Sequence, residues 1–411
     1  MTREQLLDDI IRLIELYDRV ALQWPTGLGK SRATVLMLNH LECITRQKLS
    51  VLLLVAESIH KDNWEKEFTK WKLSEYIDIT IECYASMKNY SNTEWDVCVF
   101  DEAHHLRSDI RMDVLSSITM KKAILLSATL PEPLRLSLEE IVGKIVVSHI
   151  SLKEAMDWGI LPEPRVYLIP MTLDNSEPLY EVIEERGKSS LRRTVRCSYE
   201  ERWRYRNKST YPHIKLIMKC TARQKYNWID DKYTYWKKLY MQTRQEYAHR
   251  QWMQMGLVRK KFLGEMKTAA AHSLLESLHN RRYICFCASI EQAEMLGGLC
   301  SSWNNVVHSK VKNPQQVIDK FNEGEIDNLF AVNMLQEGQN LNNIEVGVII
   351  QLDGQERAFI QKFGRVLRAD SPIQYVFYYS NTRDEEYLKS VLKNVDSEYI
   401  TIMDRDEIDD R

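Results

Sequence analysis

The chain lacks the close cysteine pairs that hold a metal or staple a small fold. Its eight cysteines are scattered over 411 residues, no C-x-x-C occurs, and the nearest two are Cys285 and Cys287. That excludes a zinc framework and a disulfide scaffold, and it makes a reducing cytosol the expected compartment. No run approaches the ~20 consecutive apolar residues that a bilayer-spanning helix requires. The opening Met1-Thr2-Arg3-Glu4-Gln5 does not have the profile of a secretory leader. Low-complexity tracts and internal repeats are missing too, which sets aside fibrous and solenoid architectures.

What is present is length enough for two or three domains, with a hydrophobic content of 44% that allows substantial cores. A helix is expected from Glu4 to Leu16, with Leu6, Ile10, Leu13 and Ile14 on one face. Val20-Ala21-Leu22 then leads into Pro25-Thr26-Gly27-Leu28-Gly29-Lys30-Ser31, and a helical period runs from Ala33 to Leu41. A strand, a glycine turn and a helix N-terminus in that order make a phosphate cradle, because backbone N–H groups can converge on an anion only where side chains do not crowd them. Gly27 and Gly29 provide that room, Lys30 supplies charge, and the Ser31 hydroxyl is placed to ligate Mg²⁺. Trp24 stands where the general pattern has its first glycine.

Further apolar runs, Val51–Val55, Asp96–Phe100 and Ala123–Leu126, read as strands covered on both faces. The second ends directly at Asp101-Glu102-Ala103-His104 and the third at Ser127-Ala128-Thr129. Polar residues at the carboxyl ends of buried strands are what an open parallel α/β sheet presents to a ligand. Asp101 is therefore a candidate Mg²⁺ ligand, Glu102 a candidate for orienting or deprotonating an attacking water, and the Ser127–Thr129 hydroxyls candidate bonding partners of the acidic segment. After Pro162 and Pro164 a strand is expected at Arg165–Ile169, then a second α/β pattern with strands at Arg282–Cys287, Leu329–Val332, Val346–Leu352 and Gln374–Tyr379 and a helix near Glu385–Asn394. The expected division is 1–150 for the first domain, 151–173 with 268–411 for the second, and 174–267 as an insertion. The fold class is α/β, two parallel-sheet domains in tandem, with a basic helical insertion in the second.

The insertion holds the charge. From Arg186 to Lys267 there are 22 Lys and Arg against 6 Asp and Glu, a balance of +16 inside a chain of net −2. Such density is the footprint of a polyanion partner, and Arg192, Arg193, Arg202, Arg204 and Arg206 are candidate phosphate contacts. Tyr226, Tyr233, Tyr240 and Tyr247 recur every seven residues, with Ile229 and Trp236 three residues after the first two. That seam reads as a helical hairpin with an aromatic core in preference to a base-stacking platform. Late in the chain, Gln361, Arg365 and Arg368 share one face of an expected helix, placed to act as arginine fingers across a domain cleft.

Taken in order, these segments resemble superfamily 2 helicases. Pro25–Ser31 resembles motif I, Leu53–Glu57 motif Ia, Asp101–His104 a DEAH-type motif II and Ser127–Thr129 motif III; Ile284–Ser289, Asn333–Leu341 and Gln361–Arg368 resemble motifs IV, V and VI. Ser58–Trp64 and Tyr84-Ala85-Ser86 are more similar to DNA-directed members, and the nearest likeness is to compact phage-type helicases that remodel forks and branched recombination intermediates. The resemblance implies two RecA-like domains closing on ATP and Mg²⁺ with a single strand crossing both. It implies Thr26, Gly27, Leu28, Gly29, Lys30, Ser31 and Gly338 at the nucleotide, Gln5 as an adenine reader, His104, Ser127 and Thr129 in coupling, and Gln361, Arg365 and Arg368 in catalysis. Glu57, Tyr84, Ser86 and Ser289 would then lie near nucleic acid. Departures are Trp24 in motif I, Lys362 in motif VI, and a segment around Gln5 too short for a full adenine motif.

The expected function is a nucleic-acid-stimulated ATPase that moves along and unwinds DNA, in the cytoplasm of a bacterial or phage-infected cell, with other replication or recombination proteins as partners and no membrane. Alternatives are a translocating motor of a restriction or defence assembly that never separates strands, an RNA helicase, and an ATP-gated binding module. The intact set of Lys30, Asp101, Glu102, Arg365 and Arg368 argues against the last.

Overall fold

Alternation along buried strands sets the layering. In the computed structural model, which describes residues 1–186, 189–196, 214–300, 305–332, 341, 343–352, 371–392 and 397–403, Val97 and Val99 enter one core while Cys98 and Phe100 enter another, on opposite faces of the same strand. Ile124 and Leu126 alternate with Ala123 and Leu125 in the same way. A strand buried on both faces belongs inside a parallel sheet flanked by helices.

The first domain runs α1 (Arg3–Leu16), β1 (Arg19–Gln23), α2 (Lys30–Thr45), β2 (Leu49–Val55), α3 (Ser58–Trp71), β3 (Ile77–Cys83), β4 (Glu94–Phe100), α4 (Asp109–Ser116), β5 (Thr119–Ser127), α5 (Glu132–Val142) and β6 (Val146–His149). Its six strands pair in parallel in the order β3-β2-β4-β5-β1-β6. Strands β3 and β6, not expected from the sequence, are its two edges, where fewer residues are buried and the apolar signal is weaker. Asp96, at the foot of β4, accepts from Ser50 N and Oγ at 2.8 Å each and from Lys121 Nζ at 2.7 Å, clasping β2, β4 and β5 together.

A short α6 (Leu152–Asp157), opened by a Ser151/Glu154 capping box, and β7 (Arg165–Met171) lead into the second domain. After the insertion come α9 (Thr268–Ser277), β11 (Tyr283–Phe286), α10 (Ile290–Cys300), β12 (Val306–Val307), α11 (Pro314–Glu323), β13 (Asn328–Ala331), β14 (Val346–Ile349), β15 (Ile373–Tyr379), α12 (Arg383–Val391) and β16 (Ile400–Ile402). The seven strands are parallel in the order β12-β13-β11-β14-β15-β7-β16, so β7, before the insertion, pairs with β15 and β16 after it. The molecule thus consists of two parallel-sheet α/β domains in tandem. One apolar cluster runs through both, joined by Ile150, Leu152, Ala155, Met156 and Leu161 of the connecting segment.

The insertion corrects an expectation. It is not wholly helical: β8 (Pro178–Arg186), β9 (Ser189–Arg196) and β10 (Ile214–Thr221) form an antiparallel sheet of order β10-β8-β9 before the hairpin of α7 (Ala222–Thr243) and α8 (Glu246–Met266). The physical reason is in the residues, since β-branched Val182, Ile183, Thr194, Val195, Ile214 and Ile217 favour extended backbone, whatever the arginine content between them. The hairpin is pinned where it meets the second domain. Lys267, fully buried, donates to Asp384 Oδ2 at 2.6 Å, Gln351 Oε1 at 2.8 Å and the Phe377 carbonyl at 3.1 Å. Burial pushes the Lys267 ammonium below its usual value, against the pull of Asp384.

Candidate active site

Parallel strands β1, β2, β4 and β5 all end at one edge of the first sheet, and that edge gathers the chemistry. Trp24, buried at the end of β1, donates its backbone N–H to the Ser127 carbonyl at 3.2 Å and its indole N–H to Ser148 Oγ at 3.0 Å. The residue that replaces the usual glycine therefore lies beneath the loop, where it ties β1 to β5 and β6. Gly27 (φ 90°) and Gly29 (φ 101°) take left-handed backbone, which L-residues with side chains adopt at a cost. A Cβ on Gly29 would meet nothing within 4 Å, so the cradle opens onto free space at the N-terminus of α2. A Cβ on Gly27 would sit 3.3 Å from Leu161 Cδ2, of the segment that connects the domains. Lys30 Nζ donates to the Trp24 carbonyl at 3.0 Å, folded back across the loop.

Asp101 leaves β4 with its N–H on the Leu54 carbonyl at 2.9 Å, and Glu102 follows in left-handed backbone at φ 50°. A glutamate there is a stored strain of the kind concentrated at functional sites. Burial and the neighbouring Glu102 charge push the Asp101 carboxyl above its usual range, while the Trp64 N–H, His60 and Lys30 pull it down. Two adjacent carboxylates, one resisting ionisation, are a donor set suited to a divalent cation. Among the described residues no three His, Cys, Asp or Glu side chains could hold a metal by themselves. Mg²⁺ binds through one or two protein oxygens with phosphate and water completing its shell, and Asp101 and Ser31 are the side chains here that could supply them.

Next to the carboxylates runs a chain of polar contacts. Glu102 Oε2 is 3.3 Å from His104 Nδ1, which is 3.3 Å from Ser127 Oγ; that hydroxyl donates to the Thr129 carbonyl at 2.6 Å. The structure so brings His104, Ser127 and Thr129 together. It also adds Trp64, which the sequence reading did not single out, and gives Tyr84 a partner at the acidic segment. Trp64, 4% exposed, donates its indole N–H to Asp101 Oδ2 at 2.8 Å, and Tyr84 donates its hydroxyl to the Asp101 carbonyl at 2.9 Å. The signal for Trp64 was the spacing of His60, Trp64, Phe68 and Trp71, which lays bulky side chains along one side of α3. Buried His60 has no hydrogen-bond partner at either ring nitrogen among the described residues.

Other expected positions fall elsewhere. Gln5 Oε1 accepts the Thr2 N–H at 2.8 Å in the capping box of α1. Tyr84 is buried, with its hydroxyl on the Asp101 carbonyl. Ser289, also buried, accepts from Gln292 N at 3.2 Å as a helix cap. Glu57 is exposed and Ser86 half-buried. Gly338, Gln361, Arg365, Arg368, Arg202, Arg204 and Arg206 lie outside the described residues, and of Arg192 and Arg193 only the backbone, in β9, is described. Beside Tyr84 is a cavity of about 410 Å³ whose lining includes Lys88, His105, Arg107 and Arg111.

Residues 266–370 match the family model described as the helicase conserved C-terminal domain. No curated protein matches the chain. Among solved structures, the chain is similar to Saccharomyces cerevisiae Dbp5 bound to RNA and ADP BeF3, with a TM-score of 0.56 and 14% identity over 96% of this chain and 87% of that one. A point variant of the same yeast protein, in complex with Gle1 and IP6, is similar at a TM-score of 0.52 and 14% identity, over 95% and 86% of the two chains. These likenesses establish the fold as a RecA-like pair. With the C-terminal domain match they support a superfamily 2 helicase, a nucleic-acid-dependent ATPase.

Proposed function

We propose that this chain is an ATP-dependent DNA helicase or translocase that moves along DNA and remodels forks or branched intermediates. The observation that carries the reading is the meeting of the left-handed Gly27–Gly29 cradle with Asp101 and Glu102 at one sheet edge, ahead of a helicase C-terminal domain. In this reading ATP, bound with Mg²⁺, supplies the phosphoanhydride whose hydrolysis drives motion. The α2 N-terminus and Lys30 hold its phosphates, Ser31 and Asp101 hold the cation, and Glu102 takes a proton from the attacking water. The chain of contacts through His104, Ser127 and Thr129 transmits the state of the γ-phosphate to the rest of the domain. Gly338, Gln361, Arg365 and Arg368 would complete the nucleotide site from the second domain. The basic insertion, with Arg192, Arg193, Arg202, Arg204 and Arg206, would grip the phosphate backbone, and other replication or recombination proteins in a bacterial or phage-infected cytoplasm would be its partners.

The test is ATP turnover with and without single-stranded DNA. Stimulation is expected for the wild type, and Glu102→Gln should lose turnover by a factor of about 10²–10⁴ while still binding ATP. Turnover indifferent to nucleic acid would sink the motor reading. The yeast structures with RNA favour a second substrate, so competition between DNA and RNA strands for stimulation belongs in the same experiment. A forked substrate then separates unwinding from translocation without strand release.

A further inference from the structure

The hairpin of α7 and α8 has more aromatic rings than its own packing uses. The heptad spacing holds along α7 for Tyr226, Tyr233 and Tyr240, whereas Tyr247 falls past the turn on α8. Tyr226 and Ile229 are buried with Phe262 and Leu263 against Tyr379 of the second domain, and Tyr240 stacks on Trp252 at 5.8 Å. Asp230 takes Arg259 at 2.7 Å and Arg383 at 3.1 Å, so the root of the hairpin is anchored by ion pairs. Outside these contacts three rings face solvent: Trp228 is 56% exposed, Tyr235 57% and Tyr247, the last of the heptad tyrosines, 56%. Trp228 and Tyr235 are seven residues apart, so they share one face of α7, about 10 Å apart along the axis. Toward the turn, Tyr235 meets Trp236 edge-on at 5.1 Å and Trp236 meets Tyr247 edge-on at 5.6 Å, a continuous ladder across both helices.

Exposed rings in such number are costly in water unless something covers them. The charge around them says what. Residues 222–266 carry 10 Lys and Arg against 4 Asp and Glu, and Asp230 is already taken by the root. Lys232 and Lys238 lie beside Trp228 and Tyr235 on the outward side of α7, with Asp231 as the one acidic neighbour there, and Arg244 and Arg250 flank the turn opposite Glu246. Rings interleaved with cations match a polyanion that offers flat apolar faces, which is an unpaired nucleic-acid strand; a duplex hides its base faces in the stack.

We propose that the outer face of α7 and the tip of the hairpin form a stacking platform for the bases of single-stranded DNA, with Tyr235, Trp236 and Tyr247 as its ladder. This rests on the DNA-motor reading above and adds a site to it, outside both parallel-sheet domains. Strands separated or displaced by the motor would be held there by ring stacking, with the lysines meeting the phosphates.

The experiment uses the full chain and a fluorescently labelled oligo-dT, read by anisotropy over a salt series. Tyr235→Ala/Tyr247→Ala should weaken oligo-dT binding about tenfold or more, with little change in the slope of log affinity against log salt, because no phosphate contact is lost. Tyr235→Phe/Tyr247→Phe keeps the rings and should bind as the wild type does. Basal turnover without DNA and the thermal midpoint should be unchanged in both. Unaltered oligo-dT affinity in the alanine pair overturns the platform. So does a preference of the alanine-sensitive site for duplex or for oligo-U, or a change confined to self-association in sedimentation. If the wild-type enzyme is stimulated by DNA but the alanine pair binds normally, only this inference fails; if DNA neither binds nor stimulates, the motor reading fails with it.

Discussion

At the scale of single residues, the centre of the site is a carboxylate held from behind. Asp101 receives the Trp64 indole N–H on Oδ2, and in the proposed reading its other oxygen would serve the cation. An outer partner that orients a ligand is worth roughly 10–100-fold in metal affinity. Trp64→Phe keeps the ring packed against Phe68, 5.5 Å away, but removes the donor. It should raise the Mg²⁺ concentration needed for half-maximal binding of a fluorescent ATP analogue by about tenfold, with metal-free nucleotide binding unchanged. An unaltered Mg²⁺ titration would show that the indole does not position Asp101. The local parts of this site were legible in the chain, because Gly27, Gly29, Lys30 and the Asp101-Glu102 pair act through neighbours in sequence. The Trp64 bond was not, since it joins residues 37 apart and no local pattern records it.

At the scale of elements, a half-buried carboxylate and a fully buried ion pair hold pieces of backbone together. Burial would raise the Asp96 carboxyl, but the bonds from Lys121 and Ser50 hold it below its usual range. A carboxylate whose folded value lies below its unfolded one contributes stability that is present above about pH 4 and lost as pH falls through the folded value. Asp96→Ala should therefore cost about 1–3 kcal/mol in urea unfolding at pH 7, a difference that narrows below pH 4. The second is the Lys267–Asp384 pair that roots the hairpin. Lys267→Met leaves a fully buried Asp384 charge without its cation, which should cost about 3–5 kcal/mol, and Lys267→Met/Asp384→Leu should recover much of that. Equal loss in single and double variants would mean that the pair's hydrogen bonds to Gln351 and Phe377, not its charge balance, hold this corner.

At the scale of the whole molecule, a charge of −2 hides a basic insertion set into the second of two parallel-sheet domains. If that insertion neutralises backbone phosphates, each contact removed lowers the log–log salt slope by ~0.9. Neutralising Arg192, Arg193, Arg202, Arg204 and Arg206 should flatten the slope for DNA binding, whereas the aromatic substitutions should lower affinity at nearly constant slope. The two sets of variants thus separate phosphate grip from base stacking. A slope unmoved by the arginine set would take the insertion off the backbone.

The sequence by itself determined the buried parallel strands, their polar carboxyl ends, the phosphate loop and the a/d seam of the hairpin. Each of these is written in short-range periodicity or in a contiguous motif, where the physics of strand, turn and helix acts over a few residues. Only the tertiary structure decided that β7 pairs across the insertion with β15 and β16, that Gln5 closes a helix capping box, and that Trp24 lies under the loop. It also decided that Tyr235 and Tyr247, on different helices, meet around Trp236 on the open side of a hairpin. Those outcomes depend on which surfaces remain after the cores are filled, and that is a property of the packed chain that no local stretch contains.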